Sequence, residues 1–268
     1  MDFAGKGRPL DDAAMQSAIE ALGMAAASDM PVLWSVLTVE SRGFGFLADR
    51  RPKVLFERHV FHRETGGQFS ASAPDLSAKS GGGYIGGAAE YDRMARALKL
   101  CRDAGLGDEP ALRSASWGLG QVMGFNAIAS GFKSAADMAG RMAESEAAQL
   151  TGMVGFMRSE SLDAKLKAHD WTGFARKYNG ATFWQNQYDV KLKAAFEKFS
   201  SGVSRDLRAR AAQAALVFLG YHPGDPDGVV GQNTRYALAK FRSDVGLPAS
   251  DALDDVSFDR LLIRAELA

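Results

Sequence analysis

One cysteine, Cys101, is all that this 268-residue chain carries, so no disulfide framework can form within it. Cys101 sits in register with apolar helical positions and reads as a small buried hydrophobe. The chain also lacks any run of about 18 uncharged apolar residues, so no stable membrane insertion is expected. Its start, Met1-Asp2-Phe3-Ala4-Gly5-Lys6-Gly7-Arg8, has no basic segment followed by an apolar core. No signal peptide is read there. Synthesis in the cytoplasm, with delivery by some other agent, is the expectation. An excess of charge of one sign is lacking too, with 32 basic and 32 acidic residues giving a net charge of zero. That removes any global electrostatic argument for nucleic acid or an anionic membrane, and no nucleic-acid partner is expected. Histidine is scarce at four residues, and no HExxH or CxxC spacing occurs. Glu57, His59 and His62 raise zinc as an alternative, but a zinc site needs about three protein ligands in suitable geometry. No metal and no cofactor is expected, and His59 and His62 are read as structural or lining a substrate. Long alternating strand patterns are missing, so the fold class is mainly α with at most a small β-sheet.

What is present fits an ordinary globular chain, 46% hydrophobic and 24% charged, and its length makes two domains the natural division. The break falls at Phe199-Ser200-Ser201-Gly202-Val203-Ser204, where small residues follow a long amphipathic segment. The expected units are 1–199, a linker 200–204, and 205–268. In the first unit an Ala-rich helix is predicted over 11–27, with Ile19 and Leu22 on one face. An apolar helix with Val32, Leu33, Val36 and Leu37 follows and ends at Glu40. Residues 53–61 read as a strand or extended segment between Pro52 and Gly66-Gly67. Residues 64–87, rich in Gly and Ser, read as loop. Helical spacing returns at 89–104 (Tyr91, Met94, Leu98, Cys101), at 134–158, and near 170–178 and 184–199. The last unit carries three short stripes: Leu207 to Phe218, then Tyr236, Leu238 and Phe241, then Leu253 to Leu262. A unit of roughly 65 residues can fold alone, though marginally.

Glu40 is the first candidate for chemistry. A carboxylate ending an apolar helix before Gly43-Phe44-Gly45-Phe46 is either ion-paired or held neutral, because burying an unpaired charge is costly. A neutral Glu can hand a proton to a leaving glycosidic oxygen. Trp34, Val36, Phe44 or Phe46 are the expected sources of its desolvation. Asp49 and Glu57 lie close in sequence to the same opening, and the competing reading makes both ordinary surface acids paired with neighbouring arginines. The stretch Ser116-Trp117-Gly118-Leu119-Gly120-Gln121-Val122-Met123-Gly124 joins small residues to an aromatic and an amide, as sugar binding requires. Its plainer reading is a tightly packed helix start. Tyr178-Asn179-Gly180 reads as a helix cap or as a cleft wall.

Taken together, Thr38-Val39-Glu40-Ser41-Arg42-Gly43, the Gly45-Phe46 turn, Arg51-Pro52, Leu55-Phe56-Glu57-Arg58-His59 and the 116–124 stretch resemble the N-acetylmuramidase domain of phage endolysins from Gram-negative hosts, over about residues 10–199. The resemblance implies a lysozyme-like helical fold and cleavage of the β-1,4 bond between N-acetylmuramic acid and N-acetylglucosamine in bacterial peptidoglycan. It makes Glu40 the catalytic acid. Asp49 matches the second acid of phage lysozymes, Glu57 competes for that role, and Thr65 is the nearest match to their threonine. Ser116, Gln121, Tyr178 and Asn179 match substrate-binding cleft positions. The tail, over 204–268, resembles a three-helix peptidoglycan-binding domain through Gln213, Leu216, Leu219-Gly220-Tyr221, Asp227-Gly228, Gly231, Thr234, Ala237 and Phe241. Most of these look fold-specifying; Tyr221, Asp227 and Thr234 are the candidates for wall contact. The two resemblances together imply a monomeric lytic enzyme acting on the wall in the periplasm of a Gram-negative host. A lytic transglycosylase and a non-catalytic wall-binding protein are the alternatives.

Overall fold

The computed structural model describes residues 3–41, 43–203 and 205–268. Arg42 of the Glu40 motif, Ser204 of the expected linker, and Met1 and Asp2 lie outside the described residues. Helix α1 (Asp12–Ala21) starts where the Asp11 side chain accepts the Ala14 N–H, taking up one of the donors that a helix start leaves open. Helix α2 (Ala26–Glu40) buries Val32, Leu33, Val36 and Leu37 and packs against α1 and against α10 (Tyr188–Ser200). It is a central helix, and its last residue is Glu40.

A three-stranded antiparallel sheet lies beyond it: β1 (Val54–Phe56), β2 (Ala115–Trp117) and β3 (Val122–Met123), in the order β1-β2-β3. Leu55 pairs with Ser116, and Ser116 with Met123. The extended segment expected over 53–61 is therefore only three residues long. The ladder ends where the Glu57 N–H donates to the Ser114 carbonyl. The chain then turns into α3 (Arg58–Glu64), which buries Val60 and Phe61 in the core. Tertiary packing here overrides β propensity. The 116–124 stretch is a hairpin rather than a helix start, with Gly118 and Gln121 at φ of 66° and 46°. The loop over 64–87 leads to α4 (Ala89–Asp103) and α5 (Glu109–Arg113).

The helical pattern over 134–158 divides into α6 (Ala135–Glu144) and α7 (Glu146–Ser159). Ser145 between them is extended, bridges to Arg8, and caps α7 by accepting the Ala148 N–H. Helices α8 (Leu162–Lys167) and α9 (Trp171–Asn179) precede α10. α3, α5 and α8 span two turns or fewer, too short for a periodicity to declare them.

The last helices are α11 (Leu207–Phe218), α12 (Gln232–Asp244) and α13 (Asp255–Arg264). Their own core holds Ala212, Leu216, Leu238, Phe241 and Leu261, while the larger core gathers Val36, Phe56, Trp117, Met153 and Leu192. A third apolar cluster joins Phe44 and Phe46 to Ala214 and Phe218 of α11. Among the described residues no single helix is long and apolar enough to cross a membrane. α1 and α2 together pass by length and composition but meet at 96°.

Candidate active site

Helix α2 delivers Glu40 to a cavity of about 520 Å³. Four other residues singled out in the sequence line the same space: Ser116 and Gln121 from the hairpin, and Tyr178 and Asn179 from the end of α9. Segments separated by more than a hundred residues thus converge on one wall-lined space, a concave site with few, fixed polar groups. Asn179 ends its helix before Gly180, at φ 87°, and its Nδ2 donates to Glu40 Oε2 at 2.7 Å. It is both a helix terminus and a partner of the acid. Tyr178 donates its hydroxyl to the Gly120 carbonyl at 2.8 Å and stacks on Phe174.

Burial pushes the Glu40 carboxyl up from an ordinary 4.5 to about 7, against the lowering effect of the Asn179 hydrogen bond. Its Oε1 has no hydrogen-bond partner among the described residues, and neither has Asn179 Oδ1. A neutral carboxylic acid with one oxygen tied back and the other unpartnered is set up to give its proton away. Burial, and the charge of Glu40 beside it, hold the Tyr178 phenol well above its usual range, so it remains a hydrogen-bond donor.

A family model described as N-acetylmuramidase matches residues 29–200. The chain belongs to the N-acetylmuramidase family. A second model, a putative peptidoglycan binding domain, matches residues 205–256 of this muramidase-family chain. The crystal structure of the Burkholderia AP3 phage endolysin is similar at 37% identity and a TM-score of 0.66, covering 74% of this chain and 73% of that one. No curated protein matches. The chain is a peptidoglycan hydrolase, and peptidoglycan is its polymeric partner.

Its remaining candidate residues lie elsewhere. Asp49 does not line the cavity; it is exposed and bridges Arg51 at 2.6 Å. Burial, the largest influence on Asp49, would raise its pKa, but the hydrogen bonds and charge of Arg51 together hold it low. Glu57 immediately precedes α3, accepts the Tyr84 hydroxyl at 2.7 Å and pairs with His59 at 3.2 Å. Neither carboxylate shares the Glu40 cavity, because each is turned to a local cation or hydroxyl. Thr65 is buried at the end of α3, its hydroxyl donates to the Phe61 carbonyl at 2.6 Å, and it does not line the Glu40 cavity. His62 is a structural residue, its Nδ1 within 2.8 Å of Ser70 Oγ.

In the tail, Thr234 is 2% exposed, donates to the Pro223 carbonyl and accepts from Gln213. Asp227 pairs with Arg205 and accepts the Val229 N–H. Both shape the loop before α12. Tyr221 is partly exposed, with its hydroxyl on Asp244. Phe44 and Phe46 pack against the tail and do not line the Glu40 cavity.

Three supporting residues escaped the sequence reading. Glu90, fully buried, accepts the N–H groups of Phe56, Ile85 and Gly86 and pairs with Arg93, which fixes the Gly86-Gly87 rim of the cavity. Gln149 Oε1 accepts the Leu119 N–H at 2.8 Å. Glu146 accepts the Gly45 N–H at 2.9 Å. Their partners Phe56, Leu119 and Gly45 lie 30 or more positions away in the chain, so no local pattern marked them.

Proposed function

We propose that the chain is an endolysin that hydrolyses the β-1,4 bond between N-acetylmuramic acid and N-acetylglucosamine, with Glu40 as general acid. The observation that carries this is the carboxyl held near pH 7 at the head of a cavity lined by glycine backbone, hydroxyls and amides. Glu40 gives its proton to the bridging oxygen as the C1–O bond breaks and its electron pair leaves with that oxygen. The sugar passes through an oxocarbenium-like transition state, and water completes the hydrolysis. Asn179, Ser116 and Gln121 would hold the sugars, with Ser116 Oγ donating to Gln121 Oε1 at 2.9 Å to fix the amide. Tyr178 braces the hairpin through Gly120.

The division into an enzyme over 1–199 and a binding unit over 205–268 belongs to this proposal. So do a monomeric state, host lysis, and action in the periplasm of a Gram-negative host. The similarity to a phage endolysin supports the lytic role. The binding unit raises local substrate concentration on an insoluble polymer.

One observation favours a second reading. Asp49 and Glu57 are both engaged away from the cavity, as a lytic transglycosylase needs only one acid. There the 6-hydroxyl of the muramic sugar, not water, would attack C1. Mass spectrometry of soluble products from purified peptidoglycan, for the wild type beside Glu40→Gln, separates the two. Reducing muramic ends that vanish in the variant support the muramidase; 1,6-anhydro ends replace it with the transglycosylase. Cleaved stem peptides on intact glycan sink both.

A further inference from the structure

The segment that leaves Glu40 is gripped by the C-terminal unit. Glu146 at the start of α7 and Arg210 on α11 are 0% and 4% exposed, and their side chains pair at 2.6 Å. The same carboxylate accepts the Gly45 N–H at 2.9 Å and the Leu10 N–H at 3.1 Å. Another nitrogen of Arg210 donates to the carbonyls of Gly43 and Pro226. One guanidinium therefore ties the Glu40 exit loop, α7 and the tail together, which its planar fork of donors allows and a lysine ammonium does not. Phe218 of α11 packs its ring 5.8 Å from Phe44 and 6.4 Å from Phe46. A second cavity, about 270 Å³, lies along this seam, with Ser41 and Gly43 on one side and Arg205, Arg210 and Asp225 on the other. Ser41, the residue after Glu40, borders both cavities. Truncating Arg210 with the units still docked would leave Glu146 buried without its cation, which is strongly unfavourable.

We propose that Arg210 is a positioning residue for the acid: the docked tail fixes the end of α2 through Gly43 and Gly45, and so sets the geometry of Glu40 in its cavity. The wall-binding unit then supports bond cleavage itself as well as tethering. This rests on Glu40 being the acid. A pure tether predicts that tail variants lose activity only on insoluble wall. Positioning predicts a loss on soluble glycan too, since a displacement of about 1 Å at a catalytic group can cost up to about a hundredfold. It also predicts that water reaching Glu40 lowers its pKa and moves the alkaline limb of the rate profile to lower pH. The other ionisable groups bordering the Glu40 cavity, Lys53, Tyr178 and Tyr188, are unchanged by the substitutions.

The test uses the full chain carrying Arg210→Lys or Phe218→Ala, with Glu40→Gln alongside. The probe is a peptide-free, soluble chain of alternating N-acetylglucosamine and N-acetylmuramic acid. Pelleting with insoluble peptidoglycan should stay at the wild-type level. kcat on the soluble chain should fall about tenfold, with the alkaline limb moved to lower pH. Unchanged kcat and limb in a cooperatively folded variant overturn the inference while leaving the acid assignment standing. Full turnover by Glu40→Gln overturns the assignment beneath it. If either tail variant fails to unfold cooperatively, the other decides by the same readings.

Discussion

Glu40 meets two opposed demands. As the proposed general acid it must hold a proton near neutral pH, and a carboxyl does so there only where water is scarce. Its folded-state value of about 7 lies above the ordinary 4.5, so the native state holds its proton more tightly than the unfolded chain. Its contribution to stability is complete below pH 4.5 and is lost as pH rises to about 7. Glu40→Gln should therefore unfold at a higher temperature than the wild type at pH 8. The gap should shrink toward zero by pH 4, and at its widest it is on the order of 3 kcal/mol. Thermal melts across that range check it. Activity on soluble glycan should fall by roughly a thousandfold or more in the same variant, the scale of losing a general acid in a preorganised site. Asn179 acts with the opposite sign, since its hydrogen bond favours the charged form. Asn179→Ala should move the alkaline limb of the rate profile to higher pH while lowering kcat, and a pH–rate series reads both at once.

At the scale of elements, the cavity is shaped by close approach more than by side-chain bulk. A Cβ added at Gly45 would lie 1.9 Å from Gln149 Oε1, and one at Gly118 would lie 2.7 Å from Gln149 Cδ. α7 thus inserts Gln149 between the Glu40 exit loop and the hairpin. Gly45→Ala should destabilise the fold by about 2 kcal/mol through overpacking, read as a lower melting temperature. Glu90 plays the matching part on the far rim. Glu90→Ala strands Arg93 and three backbone donors, at a cost of about 3–5 kcal/mol. Where the variant still folds, KM should rise as the Gly86-Gly87 rim loosens. Neither device could be read beforehand. The spacing of Val32, Val36 and Glu40 declares a helix and its end, but nothing local says that residues 45, 118 and 149 meet.

Across the whole molecule, two cores are joined by a seam that mixes apolar rings with a buried ion pair. A flexible tether would leave two independent melting units. The seam predicts a single calorimetric transition whose calorimetric and van't Hoff enthalpies agree. Phe218→Ala should lower the midpoint of that single transition. The same seam changes the meaning of Gly43-Phe44-Gly45-Phe46, which looks like a glycine-rich opening and is instead the surface on which the tail docks.

The resemblance to the muramidase family is what grouped the five residues that share the Glu40 cavity; the sequence by itself determined the helical class, the ends of α2 and α9, and the tail's three stripes. Those features rest on local periodicity, on caps, and on polar residues at the ends of apolar runs, all of which lie within a few residues of each other. The tertiary structure decided which carboxylates stay away from Glu40, how α6 and α7 part at Ser145, and where the tail grips. Those outcomes depend on contacts between residues tens to hundreds of positions apart. A short-range pattern carries no record of them, because a carboxylate's role is set by the cation or hydroxyl that folding brings beside it.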